Sequence, residues 1–321
     1  MNDVDPTAWF ERRTWQTRRH GVDELRALKG DRRVAVVLPA LNEEATVGDL
    51  VRATVPLTTG PTPLVDELVV IDSGSTDRTV EYARAAGARV VHRHEVLPHV
   101  PVLQGKGEVL WRSLAATTAD VIVFMDSDLV DTDPAALIPA LIEPILTTTE
   151  VELVKGFYRR PLRIDGQETD TGGGRVTELL ARPLLCALFP SLSRIVQPLG
   201  GEYAATRSLL RSVPFASGYG VEIGLLIDTR RSRGLDAIAQ VNIGVRKHRN
   251  RSLLELGVMS GRILSTVLAR AGALDPGTTL TQFHEVAGQW LPDDHEVSGW
   301  DRPPMETVGQ AARTADAAPS R

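Results

Sequence analysis

Three short polar segments of the chain have the residue types that bind cations and hydroxyl groups. They are Asn42 to Glu44, Asp72 to Asp77 and Asp126 to Asp128, and each follows an apolar run. Two carboxylates separated by one residue, as in the third segment, can share the binding of a hard divalent cation. Such a cation offsets the charge that develops on a diphosphate leaving group. Taken singly, each segment also fits a turn or a helix cap, so their joint placement carries the argument.

A lysine between two glycines, Lys106, precedes a predicted helix. The flanking Gly105 and Gly107 would let the backbone come close to a phosphate, and the ammonium group can balance phosphate charge. The Gly-x-x-x-x-Gly-Lys-Ser/Thr spacing of a P-loop is absent. We interpret Lys106 as a phosphate-binding lysine rather than as a solvated loop residue.

A second anion-binding segment lies further along the chain. Three glycines at 172–174 run into Arg175 and Thr177, which occupy the first turn of a predicted helix. Free backbone N–H groups at such a turn bind anions, and arginine matches a carboxylate or phosphate through two hydrogen bonds. The basic segment 246–251 follows a predicted strand. Because no aromatic residues interleave it, a nucleic-acid-binding patch is the less favoured interpretation.

These segments need a framework of strands and helices to bring them together. Continuous apolar runs predict buried strands at 34–38, 67–71, 89–91 and 121–125. Helical spacing follows them, and the pair Asp133-Pro134 predicts a helix over 134–146. This alternation predicts an α/β fold with a mostly parallel central sheet flanked by helices. Ligands bind beyond the carboxyl ends of strands in such sheets, where the three polar segments would lie.

The predicted organisation has four parts. Residues 1–32 read as an N-terminal arm, residues 33–160 as the nucleotide-sugar (donor) region, and residues 161–292 as a more helical acceptor-binding region. Residues 293–321 are polar and read as a disordered tail. The acceptor region is predicted to contain helices at 175–188, 220–233 and 253–271, and a strand near 236–245.

Composition excludes several classes of function. The net charge of −5 provides no overall basic field for nucleic acid or anionic membranes. No apolar run approaches the ~20 residues that span a bilayer, and the first residues lack a signal-peptide pattern. The single cysteine, Cys186, precludes an intrachain disulfide, and its apolar neighbours favour a small buried hydrophobe over a nucleophile. We therefore expect a cytoplasmic protein.

Nine segments, in order, resemble the glucosyl-3-phosphoglycerate synthases of actinobacteria, which have the GT-A fold. The first four are shared by many GT-A enzymes, the last five are far more diagnostic, and the resemblance covers roughly residues 34–285. The segments are Pro-Ala-Leu-Asn-Glu-Glu (39–44), Asp-Ser-Gly-Ser-Thr-Asp (72–77), Gly-Lys-Gly-Glu (105–108), Asp-Ser-Asp (126–128), Phe-Tyr-Arg-Arg-Pro-Leu (157–162), Thr-Gly-Gly-Gly-Arg-Val-Thr-Glu-Leu (171–179), Gly-Glu-Tyr-Ala (201–204), Gly-Tyr-Gly-Val-Glu-Ile-Gly-Leu-Leu-Ile-Asp (218–228) and Val-Arg-Lys-His-Arg-Asn-Arg (245–251).

The resemblance implies a retaining glycosyltransferase with Mg²⁺ or Mn²⁺ as cofactor. It would move glucose from UDP-glucose to the 2-hydroxyl of 3-phosphoglycerate, and a homodimer is expected. The implied donor-binding residues are Pro39, Ala40, Leu41 and Glu43 around uridine, Ser73 and Lys106 on the nucleotide and its phosphates, Asp126 at the ribose or sugar, and Leu199, Tyr219 and Glu222 at glucose. The implied metal ligands are Asp128 and His248, and the implied acceptor-binding residues are Gly174, Arg175, Thr177 and Asn250. Lys106, Asp128, Glu222 and His248 are the implied catalytic residues.

Other functions remain open on sequence alone. Pattern does not decide between glucose and mannose or between UDP and GDP, so a mannosyl-3-phosphoglycerate synthase is an alternative. A polyprenyl-phosphate glycosyltransferase is another, although it should carry an apolar membrane element and none is found. A nucleotidyltransferase would release pyrophosphate, and a non-catalytic nucleotide-sugar sensor would show no turnover.

Overall fold

A computed structural model describes residues 5–130, 132–159, 161–164, 167–172, 174–245, 252–273, 278–286, 288–297 and 299–308. The strands are β1 (Thr14–Trp15), β2 (Val34–Ala40), β3 (Glu67–Asp72), β4 (Arg89–His92), β5 (Val121–Phe124), β6 (Leu153–Arg159), β7 (Pro161–Ile164), β8 (Gln167–Gly172), β9 (Tyr203–Thr206), β10 (Phe215–Ala216), β11 (Ile238–Val245), β12 (Thr279–Val286), β13 (Gln289–Glu296) and β14 (Asp301–Arg302). The α-helices are α1 (Pro6–Arg13), α2 (Val22–Lys29), α3 (Val47–Thr54), α4 (Thr79–Ala86), α5 (Lys106–Ala116), α6 (Pro134–Thr147), α7 (Arg182–Leu188), α8 (Arg207–Ser212), α9 (Val221–Arg233) and α10 (Leu253–Ala271).

Eight of these strands form one mixed sheet in the order β1-β11-β6-β9-β5-β2-β3-β4. All neighbouring pairs are parallel except those of β9, which runs antiparallel to both β5 and β6. The four strands predicted from apolar runs are confirmed as β2 to β5. The predicted α/β fold with a mostly parallel sheet is therefore confirmed.

Helices cover both faces of this sheet, which explains why the central strands β2 and β5 are apolar throughout rather than alternating. Val37 and Phe124 point into one core together with side chains of α5, α9 and α10. Val36 and Val123 point into the other core, with side chains of α2, α3 and α6. Parallel sheets occur almost only with both faces covered in this way.

Helix α6 begins at the predicted Asp133-Pro134 pair, and α4 ends at a glycine. The side chain of Asp133 accepts a hydrogen bond from the Ala135 backbone N–H (2.9 Å), and Pro134 takes the first helical position of α6. Gly87 ends α4 with a left-handed backbone (φ 109°). Both are favourable because the cap satisfies a free N–H and glycine lacks the Cβ that penalises positive φ. The helices predicted at 220–233 and 253–271 are α9 and α10.

The N-terminal residues differ from the prediction of an arm, because residues 5–32 belong to the folded body. Trp9 on α1 is fully buried, and its indole N–H donates to the carbonyls of Leu235 and Ile238 (both 3.0 Å). β1 then pairs with β11 at the edge of the main sheet, and Leu25 on α2 is fully buried. The charged residues around Trp9 obscured this docking in the sequence.

The predicted disordered tail is wrong for its described residues, 293–297 and 299–308. Part of this segment completes β13, and β14 pairs with β10. Arg302 forms an ion pair with Glu108, which is almost fully buried and also pairs with Arg112 on α5. The sequence of this segment has too few apolar or charged residues at regular spacing to predict that Arg302 reaches Glu108.

Cys186 is exposed, which corrects the prediction of a buried residue. Its helix α7 buries Leu185, with Ala181 one turn earlier, in the core. The residue after Leu185 is rotated by about 100° around the helix axis and faces outward. Within the described residues, no helix is both long and apolar enough to cross a membrane.

Candidate active site

The three polar segments predicted to share one sheet edge lie together beyond β2, β3 and β5. The Asn42 backbone N–H donates to the Ser75 hydroxyl (3.0 Å), and the Thr76 N–H donates to the Asn42 side-chain oxygen (2.9 Å). On the other side, the Ser127 hydroxyl donates to the Pro39 carbonyl (2.8 Å). Side chains of each segment thus hold the backbone of its neighbour, and this explains the mixture of short polar residues.

Asp72 organises the loop after β3. Its carboxylate is buried and accepts hydrogen bonds from the N–H groups of Gly74 (2.9 Å) and Ser75 (3.2 Å), and it lies 3.0 Å from His92 Nδ1. Burial raises the pKa of Asp72, but these hydrogen bonds lower it by more. The pKa of Asp72 therefore lies below the ordinary value. The ionised carboxylate fixes the loop and leaves Ser73 half-buried at the edge of the sheet.

An apolar surface borders this edge. Ala40 is buried at the end of β2, but the next residue, Leu41, is 53% exposed. Asn42 has a left-handed backbone (φ 57°) that turns the chain sharply there. Glu43 is half-buried after this turn. An exposed leucine at a sharp turn leaves an apolar surface open at this edge of the sheet.

Lys106 is the centre of the site. Its Nζ lies 2.5 Å from Asp126 Oδ1 and 2.7 Å from Glu222 Oε1. The three residues come from the start of α5, the end of β5 and the start of α9. Desolvation lowers the pKa of Lys106, but the two carboxylates more than offset it and raise the pKa well above its ordinary value. The lysine is therefore a fixed positive charge.

The glycines beside Lys106 serve a contact that the sequence did not predict. A Cβ on Gly107 would lie 1.9 Å from the Ala216 carbonyl oxygen, and a Cβ on Gly105 would lie 2.7 Å from the Gly218 nitrogen. Gly105 also has φ 105°. The backbone before α5 therefore packs directly on the turn before α9, and this contact brings Lys106 to Glu222.

Sequence reasoning missed a buried polar layer next to this cluster. Lys155 on β6 is 1% exposed, donates to the Gly200 carbonyl (2.5 Å) and lies 4.7 Å from the ring centre of Tyr203. Burial lowers the pKa of Lys155 to about 8, although Glu222 counteracts this. A lysine inside the apolar run of β6 was the available signal.

Gly201 illustrates how tightly this layer is packed. A Cβ at this position would lie 2.3 Å from Asp126 Oδ2. The chain after β5 and the chain before β9 therefore meet without room for a side chain between them. Asp128, two residues beyond Asp126, is half-buried at the same strand end.

Three of the four predicted acceptor residues, Gly174, Arg175 and Thr177, lie on a separate turn that contacts α10. Gly174 has φ 76°, and its carbonyl accepts from the Glu178 N–H (3.0 Å). Thr177 begins a π-helical turn (Thr177–Ala181) and is 6% exposed. Helix α10 contacts both this turn and the turn Gly218–Gly220. The predicted helix at 175–188 thus includes a π-helical turn, a feature common at functional sites.

The remaining predicted residues divide into two groups. Leu199 and Tyr219 are partly buried against one core, and the Arg262 guanidinium lies 6.0 Å from the ring centre of Tyr219. His248 and Asn250 lie outside the described residues. The metal pair Asp128–His248 and the contact of Asn250 with an acceptor stay predictions.

A protein-family model described as glycosyl transferase family 2 matches residues 35–161. This range contains the three polar strand ends and Lys106. The chain is 58% identical to the glucosyl-3-phosphoglycerate synthase of Mycolicibacterium smegmatis over 300 residues, which cover 94% of this chain and 98% of that protein. It is 56% identical to the protein of the same name from Mycolicibacterium paratuberculosis, over 96% of this chain and 94% of that protein.

Solved structures agree with these sequence matches. The crystal structure of glucosyl-3-phosphoglycerate synthase from Mycobacterium tuberculosis with Mn²⁺, UDP and glucosyl-3-phosphoglycerate superposes with a TM-score of 0.84 at 54% identity, covering 92% of this chain and 99% of that one. A structure of that enzyme with Mn²⁺, UDP-glucose and phosphoglyceric acid gives a TM-score of 0.83, at 54% identity and over 92% and 98% of the two chains. Another, with Mg²⁺ and UDP, gives 0.84 at 54% identity, over 92% and 99%.

Proposed function

Because this chain belongs to the glucosyl-3-phosphoglycerate synthase family, we propose that it transfers glucose from UDP-glucose to the 2-hydroxyl of 3-phosphoglycerate, with release of UDP. The observation in the chain itself that carries this proposal is the Lys106 cluster at the sheet edge. Its ammonium group lies between Asp126 and Glu222, at 2.5 and 2.7 Å. A fixed positive charge with two carboxylates beside it suits a diphosphate leaving group next to sugar hydroxyls.

The donor would lie across the ends of β2, β3 and β5. In this arrangement Pro39, Ala40, Leu41 and Glu43 surround uridine, Ser73 contacts the nucleotide, and Asp126 contacts the ribose or sugar. Support comes from the exposed Leu41 and from the hydrogen bonds within the protein that fix these loops. Preorganised loops lower the entropy cost of binding.

A divalent cation, Mg²⁺ or Mn²⁺, fits the donor set at the end of β5. Asp128 supplies a carboxylate there, and His248 is proposed as the second protein ligand. The cation would supply Lewis-acid stabilisation of the diphosphate. We expect Asp128→Ala to abolish metal-dependent turnover with a native far-UV circular dichroism spectrum. Full activity of a His248→Ala variant would contradict the proposed pair.

The acceptor would bind at the turn that begins with Gly174. Arg175 and Thr177 stand where backbone N–H groups begin a helix, and we propose that they hold the phosphate and carboxylate with Asn250. Support comes from α10, which contacts both this turn and the turn that precedes Glu222. A shared helix can hold the two substrates in one relative orientation, which favours transfer.

Retention of configuration is proposed to occur by attack from the face that the diphosphate leaves. A double displacement would need a carboxylate nucleophile at the anomeric carbon, and Glu222 is the candidate. Its ion pair with Lys106 instead supports a role in orienting glucose hydroxyls, together with Leu199 and Tyr219. We expect Glu222→Gln to keep most of the activity. Mass-spectrometric detection of a glucosyl adduct on Glu222 would refute same-face attack.

A homodimer is proposed from the exposed apolar side chains of the hairpin β12–β13. Phe283 and Trp290 are 56% and 67% exposed. Light scattering after gel filtration should give twice the chain mass for the natural protein and the chain mass for Phe283→Ser/Trp290→Ser.

A cytoplasmic location also stays a proposal, which rests on the single cysteine.

One assay tests the proposed reaction. The protein is incubated with Mg²⁺ and UDP-glucose or GDP-mannose, each with 3-phosphoglycerate or D-glycerate, and the products are identified by mass. UDP and a glucosylated phosphoglycerate are expected. Mannosylated product would identify the mannosyl alternative, and pyrophosphate would identify a nucleotidyltransferase. Donor binding with no product from any pair would leave the sensor and exclude the proposed transferase.

A further inference from the structure

We propose that the hairpin β12–β13 holds a transition-metal ion of its own, bound by His284, Asp293 and His295. These three residues each offer one ligand atom, and all three atoms lie within 4.8 Å of one another. The proposal concerns a site apart from the sheet edge where the donor is proposed to bind. It does not depend on the proposed transferase activity.

Strand register places the three side chains on one face of the hairpin. β12 and β13 are antiparallel, with Gln282 opposite Asp293 and Leu280 opposite His295. Directly opposed residues share a face, as do residues two apart on one strand. His284 lies two residues from Gln282, so it shares the face of Asp293 and His295. Phe283 lies on the opposite face, so metal binding and the proposed dimer contact would not compete.

The distances from the carboxylate to the two imidazoles match a tetrahedral metal site. Nε2 of His284 lies 3.2 Å from Asp293 Oδ2, and Nε2 of His295 lies 3.3 Å from the same oxygen. Bonds of about 2.0–2.1 Å from zinc to nitrogen or oxygen place neighbouring ligands of a tetrahedron about 3.3 Å apart. Both histidines therefore already stand at the separation from the carboxylate that one shared ion would impose.

Nε2 of His295 provides a second observation. This atom is shielded from solvent and makes no hydrogen bond within the described chain. It faces the Asp293 oxygen, but without the geometry of a hydrogen bond, whereas His284 Nε2 has that geometry. A buried nitrogen lacking a hydrogen bond is costly unless something else occupies its lone pair. A metal ion at the centre of the three atoms would do so.

The chemistry of the ligands indicates which metal binds. Two imidazoles with one carboxylate favour Zn²⁺, Co²⁺ or Ni²⁺ over the harder Mg²⁺. The side chains of His284 and Asp293 are 38% and 50% exposed, so water can fill a fourth position. This preference differs from that of a diphosphate site, where Mg²⁺ and Mn²⁺ act with oxygen ligands.

A bound ion would cross-link the two strands of the hairpin, and the hairpin in turn contacts α10. On the same face, the Gln282 side-chain amide donates to the Leu254 carbonyl at the start of α10 (3.1 Å). Its amide would also meet any Cβ added to Gly257. Linking His284 on β12 to Asp293 and His295 on β13 would therefore make the face of the hairpin that contacts α10 more rigid.

The test is a cobalt titration of the tag-free, full-length protein, stripped of metal and supplied with excess Mg²⁺ and UDP. Visible absorption reports tetrahedral Co²⁺, and Zn²⁺ is then added to displace it. We expect saturation at one equivalent of Co²⁺ and loss of the band on addition of Zn²⁺. His284→Gln and His295→Gln should each weaken Co²⁺ binding by at least about tenfold.

Two controls separate this site from the others. His99→Gln removes an exposed histidine elsewhere and should leave the titration unchanged. Asp128→Asn, which removes the proposed donor-site ligand, should also leave the cobalt band intact. Hydrogen exchange of residues 279–296 should slow with Zn²⁺ in the natural protein and in both controls, but not in His284→Gln/His295→Gln. A natural protein without a tetrahedral band, or a His284→Gln/His295→Gln variant with an unchanged one, would overturn the proposal.

Discussion

At the scale of single residues, the site depends on charges that are buried together. Lys106 lies between two carboxylates, whereas the buried Lys155 donates to a backbone carbonyl, that of Gly200. The two lysines therefore have opposite pKa shifts. Nearby negative charge dominates for Lys106, whereas desolvation dominates for Lys155. One lysine stays charged at every working pH, and the other can lose its proton within the measurable range.

Replacing Lys106 with methionine should abolish most of the activity. The variant loses the positive charge that would face the diphosphate, so we expect kcat to fall by about 100-fold or more. Steady-state kinetics of UDP release would measure this. Lys29→Met is the matched control, because Lys29 is also buried in an ion pair, with Asp66 at 2.7 Å, but far along the chain. It should lower stability and leave kcat unchanged; an equal loss of kcat would argue for a general folding effect.

Lys155 should make stability rise with pH. Its folded-state pKa of about 8 is below the ordinary value of 10.5, so between these pH values the unfolded chain binds more protons than the folded one. The penalty is fully present below about pH 8 and disappears above about 10.5, where stability has risen by about 3 kcal/mol.

Urea unfolding from pH 7 to pH 10.5 would measure this effect against Lys155→Met, which removes the titrating group. Between about pH 8 and 10.5, the unfolding free energy of the natural protein should rise relative to that of Lys155→Met. Parallel curves would show that Lys155 keeps its ordinary pKa.

At the scale of elements, the site depends on the contact between the start of α5 and the turn before α9. Gly105 and Gly107 allow this contact because neither carries a Cβ. The same pair was interpreted from sequence as a backbone approach to phosphate. The structure adds a reason that is internal to the protein: without the close contact, Lys106 and Glu222 would not meet.

Gly107→Ala should therefore separate the two elements. The added Cβ would lie 1.9 Å from the Ala216 carbonyl oxygen, so α5 or the turn must shift. We expect a loss of about 1–3 kcal/mol in unfolding free energy, typical of overpacking, together with a strong loss of kcat. Gly48→Ala is the matched control, because it lies in α3 and its nearest contact is the flexible Arg52 side chain at 3.4 Å. That variant should keep full activity and a native melting temperature or a slightly higher one.

At the scale of the whole molecule, both ends of the described chain are tied to the central fold. α1 anchors Trp9 beneath the strand β11, and β14 carries Arg302 to the buried Glu108. Arg270 on α10 similarly pairs with Asp228 on α9 (2.7 Å) and with Asp301 (2.9 Å). These contacts hold α5, α9 and α10, the three helices on one face of the sheet, in a fixed relation.

Trp9→Ala should destabilise the whole protein even though Trp9 is far from the proposed chemistry in sequence. The substitution leaves a cavity and frees two buried carbonyls, so we expect a loss of about 3–5 kcal/mol. Chemical unfolding of the variant would measure it. Trp300→Ala, at a side chain that is 65% exposed, should cost far less. Equal losses for the two variants would show that α1 is not an integral part of the fold.

The sequence alone determined the local pattern of this protein. Apolar runs and caps predicted β2 to β5 and α6, since burial on both faces and free helix N–H groups restrict which residues can stand there. The three polar strand ends and Lys106 were also readable, because loops beyond parallel strands carry binding residues. The resemblance then indicated the family.

Only the tertiary structure decided which distant residues meet. Lys106 meets Glu222, and α1 and β14 dock on the central fold, across segments far apart in the chain. The burial of Lys155 and the approach of His284 to His295 across the hairpin depend in turn on strand packing and register. Such contacts depend on how helices and strands pack, and a sequence pattern reports only spacing within one element. The prediction that Cys186 is buried was wrong for the same reason, because apolar neighbours in sequence do not indicate which side of a helix faces the core.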